Sequence, residues 1–144
     1  MIRLGLNGAA GRMGKRISSI IYNDKNTKLC LALEHEKHSE LGKDMGVLIG
    51  EGTMGIALTS QFKNENINAI IDFSNPAASV KLAHLCADNK IAFVTGTTGM
   101  SEAQLAEIRA LSSRIPVLIG SNMSLGVNLL FKFAAKPVAE DDID

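Results

Sequence analysis

Three glycines near the start of the chain have the spacing of a turn that binds phosphate. Gly8, Gly11 and Gly14 follow an apolar run directly and precede an amphipathic stretch. Glycine is needed where a turn is tight, where backbone approaches a phosphate and where a helix packs closely on a strand. The N–H groups and the dipole at such a helix start favour a pyrophosphate. Because the first gap is one residue longer than in the common dinucleotide fingerprint, a merely tight strand–helix turn is the alternative.

A carboxylate at a suitable distance strengthens the prediction of a dinucleotide. Glu34 ends a second apolar run about 20 positions after Gly14, where an acid binds ribose hydroxyls and repels a 2′-phosphate. His35 offsets that repulsion only when protonated, and His35, Lys37 and His38 are alternatively solvated loop side chains. Both NADH and NADPH therefore stay open. The residues predicted here to bind the cofactor are Gly8, Ala9, Ala10, Gly11, Arg12, Met13, Glu34 and His35.

Small and polar residues follow three further predicted strands. They form the segments Asp72 to Pro76, Gly96 to Gly99 and Gly120 to Met123. Because ligands bind at the carboxyl ends of parallel strands, we expect these segments to lie along one edge with the glycine turn. The alternatives without a binding role are a core aromatic side chain at position 73 and a loop at 96–99 that only leads into a helix. The residues singled out are Phe73, Gly96, Thr97, Thr98, Gly120, Ser121, Asn122 and Met123.

Short apolar runs and helical spacings alternate along the chain and supply the elements that position these residues. Continuous rather than alternating apolar runs are typical of strands covered on both faces of a parallel sheet. Pro76 suits a first helical turn, and Ser101 to Gln104 is a capping box. The pattern predicts a doubly wound α/β sheet. Its strands are predicted at Ile2–Asn7, Leu29–Glu34, Ala69–Phe73, Ile91–Thr95 and Val117–Ile119, with a weaker candidate at Ile56–Leu58.

Two regions interrupt that alternation. Residues 36–55 contain five glycines without a clear period, which predicts an irregular, mobile loop. After Ser124 a new helical pattern begins, and the sequence stops at Asp144 as though a strand were about to start. We therefore expect a dinucleotide-binding domain at 1–123 and the start of a second domain at 124–144.

Composition and charge exclude several classes of protein. The 15 basic and 15 acidic residues balance, which argues against nucleic acid as a partner. The sequence has no apolar run of about 18 residues that could span a bilayer. Its N-terminus runs directly into a strand pattern without the apolar region of a signal peptide, so we expect none. Cys30 and Cys86 lie in apolar surroundings without metal-ligand spacing, so we expect reduced core thiols in the cytoplasm and no metal site. His84 is better explained as a packed or half-exposed histidine than as a catalytic one, and no residue is predicted to be catalytic.

The chain resembles the 4-hydroxy-tetrahydrodipicolinate reductases (dihydrodipicolinate reductases) of bacterial lysine and diaminopimelate biosynthesis. The similarity runs along essentially the whole chain. It rests on Gly-Ala-Ala-Gly-Arg-Met-Gly at 8–14, Ala-Leu-Glu at 32–34, Leu-Gly-Lys-Asp-Met-Gly at 41–46, Ile-Asp-Phe-Ser-Asn-Pro at 71–76, Gly-Thr-Thr-Gly at 96–99 and Ser-Asn-Met-Ser-Leu-Gly-Val-Asn at 121–128.

The resemblance implies an NAD(P)H-dependent reductase whose N-terminal half is a Rossmann-type doubly wound parallel sheet with helices on both faces. It places Gly8 to Met13 at the pyrophosphate, Glu34 at the adenosine ribose, and Gly96 to Thr98 and Gly120 to Met123 at the nicotinamide. Many relatives carry arginine at the positions of His35 and Asn75. Both departures speak against a strong preference for NADPH.

The resemblance also implies that residues 124–144 begin a C-terminal substrate and oligomerisation domain. Further segments would follow Asp144: a His-His-x-x-Lys type catalytic segment, a Ser-Gly-Thr substrate loop and a sheet that forms a homotetramer. We therefore expect a truncation or isolated domain that binds cofactor at reduced affinity and turns over no substrate alone. The alternatives are the N-terminal domain of another amino-acid-pathway dehydrogenase, such as one for aspartate or homoserine, and a binding-only nucleotide sensor. The encoding gene beyond this position would discriminate among them.

Overall fold

The computed structural model describes residues 1–120, which form one six-stranded parallel sheet with helices on both faces. The strands are β1 (Ile2–Asn7), β2 (Thr27–Leu33), β3 (Leu58–Thr59), β4 (Ala69–Asp72), β5 (Ala92–Thr95) and β6 (Val117–Ile119), in the spatial order β3-β2-β1-β4-β5-β6. The helices are α1 (Arg12–Asn23), α2 (Met45–Ile49), α3 (Pro76–Asp88) and α4 (Glu102–Ala110), and a 3-10 turn at Leu111–Ser113 follows α4. The predicted Rossmann-type doubly wound architecture is thus confirmed.

Most predicted elements occur, with small shifts at their ends. β1 and β6 have the predicted bounds, and the ends of the other strands, including the weak candidate at 56–58, are shifted by one or two residues. Pro76 opens α3, and the capping box of Ser101 and Gln104 is formed. The prediction of an irregular segment at 36–55 was wrong in one respect, because the short helix α2 lies inside it. That helix has five residues, too few for a helical period to show in the sequence.

Two separate hydrophobic cores cover the two faces of the sheet. One packs α3 and α4 against the sheet around Ile70, Phe93 and Ile108. The other packs α1 and α2 against it around Leu6, Leu29 and Met45. A parallel sheet buried on both faces needs strands that are apolar on both sides, which explains the continuous apolar runs. Within residues 1–120, no helix is long and apolar enough to cross a membrane.

Both cysteines are core residues, as predicted. Cys30 and Cys86 are buried free thiols. Burial, and after it the negative charge of Asp72, raises the pKa of Cys86 to about 12. A thiol with so high a pKa stays protonated and unreactive at neutral pH.

Candidate functional site: a cleft at the carboxyl edge of the sheet

The strand order reverses between β1 and β4, and a cleft opens at the carboxyl ends of the strands beside that point. Ligands bind in such crevices in open α/β sheets. The cleft encloses about 660 Å³ between the end of β2, the segment after β3 and one face of α3. Its lining residues include Asn7, Glu34, His35, Ser74, Asn75 and Lys81.

The glycine turn between β1 and α1 is shaped by two positions that exclude a side chain. Gly8 has φ +73°, and a Cβ there would overlap the carbonyl oxygen of Phe73. A Cβ on Gly14 would overlap the carbonyl oxygens of Gly8 and Ala9. The turn therefore lies tightly between α1 and the end of β4, with no room for a Cβ at either position. Glycines at such a turn let backbone approach a pyrophosphate closely.

The start of α1 has backbone donors without partners. The N–H groups of Arg12, Met13 and Gly14 have no hydrogen-bond acceptor among the described residues, and Gly11 at the N-cap has no side chain to supply one. The other three α-helices of residues 1–120 are capped by side chains, from Asp44, Asn75 and Ser101 respectively. Because unpaired N–H groups and the helix dipole attract anions, the start of α1 can bind a phosphate.

Glu34 lies directly beside this turn. Its Oε2 accepts a hydrogen bond from the Ala10 N–H at 3.0 Å, and its Oε1 accepts from the His35 N–H at 3.0 Å. The Ala9 N–H also donates to the Leu33 carbonyl, at 3.0 Å. The turn and the end of β2 are therefore joined, and the carboxylate that is expected to meet a ribose lies next to the amides that are expected to meet the pyrophosphate.

The two histidines after Glu34 accept hydrogen bonds from backbone N–H groups of the loop in which they lie. The His35 Nδ1 accepts from the Lys37 N–H at 3.2 Å, and the His38 Nδ1 accepts from the Glu40 N–H at 3.2 Å. An imidazole that accepts at Nδ1 is the neutral form with its proton on Nε2. In this arrangement neither histidine contributes a positive charge beside Glu34.

A buried carboxylate that was not among the predicted site residues organises the centre of the edge. Asp72 is fully buried at the end of β4. Its Oδ1 accepts from the Asn7 amide at 2.7 Å and the Ser74 hydroxyl at 2.6 Å. Its Oδ2 accepts from the hydroxyls of Thr95 at 2.7 Å and Thr97 at 2.8 Å. Four donors saturate both oxygens, so one side chain holds together the ends of β1, β4 and β5.

This cluster changes what the predicted nicotinamide-side residues can do. The Thr97 hydroxyl donates to Asp72 and accepts from the Ser74 N–H at 2.9 Å, so its donor is already used within the protein and is not available to a ligand. Thr98 is exposed, and Gly96 lies under the Phe73 ring, which a Cβ on Gly96 would overlap. Backbone groups and Thr98, rather than the Thr97 side chain, are therefore available to a ligand at this end.

The structure brings most predicted site residues to one edge. Gly120 joins it through its N–H, which donates to the Thr95 carbonyl at 3.0 Å. Ala9 is fully buried, so only its backbone faces the turn. Ser121, Asn122 and Met123 lie outside the described residues. His84 pairs with Glu107 at 2.7 Å, away from the cleft lining, and within residues 1–120 no group of His, Cys, Asp and Glu side chains could hold a metal ion.

Asp72 and Lys81 are two residues of this edge that were not among the predicted cofactor-binding residues. The signal for Asp72 was an acid at the end of an apolar strand with hydroxyl residues on neighbouring strand ends. The signal for Lys81 was its position in the helical stripe of Ala78, Leu82 and Leu85, which lines the cleft.

The chain matches a family model described as "Dihydrodipicolinate reductase, N-terminus" over residues 2–123. Among curated proteins, it is 35% identical over 136 residues to a 4-hydroxy-tetrahydrodipicolinate reductase of Buchnera aphidicola, covering 93% of this chain and 51% of that protein. It is 41% identical over 131 residues to the enzyme of the same name from Rhizobium meliloti, covering 90% and 48% respectively. The chain thus spans about half the length of the curated relatives that it matches.

Solved structures show the same fold. A dipicolinate-bound dihydrodipicolinate reductase from Paenisporosarcina superposes with a TM-score of 0.74 at 22% identity, over 93% of this chain and 52% of that one. An amine dehydrogenase from Mycobacterium smegmatis superposes with a TM-score of 0.64 at 20% identity, over 82% of this chain and 38% of that one. At these identities, both likenesses concern the fold alone.

Proposed function

The chain belongs to the family of dihydrodipicolinate reductase N-terminal domains, and from this premise we propose that residues 1–123 form the NAD(P)H-binding domain of a 4-hydroxy-tetrahydrodipicolinate reductase. The whole protein would reduce 4-hydroxy-tetrahydrodipicolinate to tetrahydrodipicolinate in lysine and diaminopimelate biosynthesis. Membership of this family favours it over the alternative of an aspartate or homoserine dehydrogenase domain.

One observation carries the proposal: α1 begins with free N–H groups beside a carboxylate. The N–H groups of Arg12 and Met13 have no acceptor within residues 1–120. Glu34 accepts a hydrogen bond from the N–H of Ala10, which lies in the same glycine turn. A pyrophosphate needs such donors, and an adenosine ribose needs such an acceptor close by. A merely tight turn would not require Glu34 beside it.

The residues of this chain would bind and orient the cofactor. The turn from Gly8 to Met13 holds the pyrophosphate, Glu34 accepts from the ribose hydroxyls, and Gly96 to Thr98 with Gly120 to Met123 line the nicotinamide side. Phe73 packs on Gly96 and limits how deep a ring can enter at that end. When bound, the nicotinamide supplies the hydride for the reduction. Asp72 keeps the three strand ends in register beneath it.

Substrate binding and assembly would belong to the rest of the protein. The curated relatives are about twice as long as this chain, and we propose that a small-molecule substrate site and a homotetramer interface lie in the half of the enzyme beyond Asp144. A cytoplasmic setting accords with the two buried thiols. Catalysis is accordingly proposed for the whole enzyme and cofactor binding for this chain.

Calorimetric titration of the 144-residue chain with NADH and NADPH tests the proposal. We expect saturable binding. Glu34→Ala should weaken NADH about tenfold or more, because hydrogen bonds to a charged acceptor are lost, and should weaken NADPH less, because repulsion of the 2′-phosphate is also removed. Glu107→Ala is the matched control, since Glu107 pairs with His84 outside the cleft lining.

Absence of saturation at millimolar cofactor would contradict the proposal. Equal affinities for NADH before and after Glu34→Ala would remove Glu34 from the ribose and leave the other predicted contacts, those of the glycine turn and of the nicotinamide side, in place. Turnover of substrate by the 144-residue chain would contradict the proposal that catalysis needs the remainder of the enzyme.

A further inference from the structure

One wall of the cleft is a single face of α3 that carries a lysine. Ala78, Lys81, Leu82 and Leu85 line the cleft at the spacing i, i+3, i+4, i+7, which places them on the same side of a helix. Leu82 is buried at the base of the wall, whereas Lys81 is exposed. A long side chain so placed can pack its methylene stem along the wall and reach out with its ammonium group.

The opposite wall is acidic and lacks a permanent positive charge. It consists of Glu34 with its neighbours His35 and Glu36, and the Nδ1 acceptor geometry of His35 belongs to a neutral ring. Among the residues that line the cleft, Lys81 carries the one permanent positive charge. A ribose bound to Glu34 would place its 2′ position in this cleft, where an added phosphate needs a cation to offset the nearby carboxylates.

Lys81 also has no internal partner among residues 1–120, unlike two lysines near the helices on the other face of the sheet. Lys15 and Lys43 both pair with Glu40, at 3.5 and 3.7 Å. Lys81 makes no hydrogen bond or ion pair with any residue in the part of the chain that the structure describes. Its ammonium group is therefore available to a ligand at no cost in internal contacts.

We propose that Lys81 is the residue that admits the 2′-phosphate, so that the cleft accepts NADPH as well as NADH. The inference rests on the proposed dinucleotide function. An arginine directly after the ribose-binding acid would fix a phosphate with two parallel hydrogen bonds, whereas a lysine on the facing helix acts as a flexible point charge. When NADH is bound, the ammonium group of Lys81 stays in solvent and contributes almost nothing to the binding free energy. Lys81 therefore gives dual use of the two cofactors rather than a strong preference.

Parallel titrations of the 144-residue chain and its Lys81→Met variant with NADH and NADPH test the inference. Methionine keeps a stem of similar length and removes the charge. We expect NADPH affinity to fall about tenfold, as for the loss of one charge-assisted contact to phosphate, and NADH affinity to stay within about twofold. Lys37→Met is the matched control, because Lys37 lies near His35 but outside the cleft lining, and it should change neither affinity.

Salt dependence gives a second readout. The ratio of NADPH to NADH affinity should fall with ionic strength in the unmodified chain, because exposed charges are screened, and should vary much less in Lys81→Met. Since Lys81 is exposed and makes no hydrogen bond or ion pair within residues 1–120, and methionine keeps the stem, thermal unfolding of the variant should match that of the parent.

The possible outcomes separate this inference from the function on which it rests. Unchanged NADPH affinity in Lys81→Met, or an equal loss for both cofactors, would overturn the role of Lys81 and leave cofactor binding intact. Binding of NADH without NADPH by the unmodified chain would also overturn it. Binding of neither cofactor would contradict the proposed function itself.

Discussion

Two regions of this domain are each organised by one aspartate, and they are built in opposite ways. Asp72 lies at the carboxyl edge of the sheet, and Asp44 lies in the segment 44–56 beside α1. Each carboxylate accepts four hydrogen bonds. The donors to Asp72 are side chains from three strand ends, whereas those to Asp44 are the backbone N–H groups of Gly46, Met54, Gly55 and Ile56.

The difference shows where each carboxylate exerts its effect. Asp72 is fully buried and has hydrogen-bond partners up to 65 positions away in the sequence, so it joins the centre of the fold to the carboxyl edge of the sheet. Asp44 caps α2 and closes a loop in which its farthest donor is 12 positions away. Loss of Asp72 should therefore affect the whole domain and the cleft, and loss of Asp44 should stay local.

Asp72→Asn should have the largest effect. The amide group would point a donor at hydroxyls that are themselves donors, and the charge-assisted hydrogen bonds would be lost. We expect the free energy of unfolding to fall by about 3 kcal/mol or more, measured by urea denaturation, together with weaker NADH binding. An Asp72→Asn variant as stable as the parent would contradict the central role of this carboxylate.

The same substitution can be made in both regions, as Gly8→Ala and Gly50→Ala, and the losses in the free energy of unfolding can be compared. Both glycines have positive φ, at +73° and +78°, but only a Cβ on Gly8 meets other atoms. The left-handed conformation costs a residue with a side chain roughly 1–2 kcal/mol, and this is the expected loss for Gly50→Ala. Gly8→Ala should lose roughly 1 kcal/mol more, because the turn must shift away from Phe73.

Calorimetry with NADH distinguishes these two glycine variants further. Gly8→Ala should weaken the cofactor at least about tenfold, since small displacements of a binding turn cost much of its affinity, and Gly50→Ala should leave it unchanged. Equal losses of affinity would show that the region around α2 belongs to the site.

Asp44→Ala should have the smallest effect. We expect the free energy of unfolding to fall by about 1 kcal/mol, as for other N-cap replacements, and NADH binding to be unaffected. Hydrogen bonds from backbone N–H groups, that of Met54 above all, hold the pKa of Asp44 below its ordinary value of 3.8. Because the pKa of Asp44 is lower in the folded state than in the unfolded state, its carboxylate stabilises the fold. This contribution is complete at pH values above the unfolded-state pKa and is lost as the pH falls through the folded-state pKa.

The pH dependence of that effect is itself a check. The difference in unfolding free energy between parent and Asp44→Ala should be constant at neutral pH and should shrink as the pH falls below 3.8. A difference that grows toward acid would mean that the protonated form of Asp44, rather than the carboxylate, stabilises the loop.

The same contrast explains how much could be predicted from the sequence. Strands, the capping box at Ser101 and the glycine turn depend on local residue types, and they occur as predicted. The role of Asp72 depends on Asn7, Thr95 and Thr97, whose approach is a property of the sheet order. The role of Asp44 depends on backbone donors, which every residue type except proline offers, so no sequence pattern marks them. Helix α2 was missed for the related reason that its first turn is fixed by Asp44 rather than by apolar spacing.

Amide resonances of the isotope-labelled 144-residue chain, followed by NMR during a titration with NADH, test the central claim most directly. The account predicts saturable shifts for the turn from Gly8 to Met13, for Glu34 and for Gly96 to Thr98, with little change in the segment 44–56. Shifts confined to that segment, or no saturable shift at millimolar NADH, would contradict the assignment of the carboxyl edge as the cofactor site.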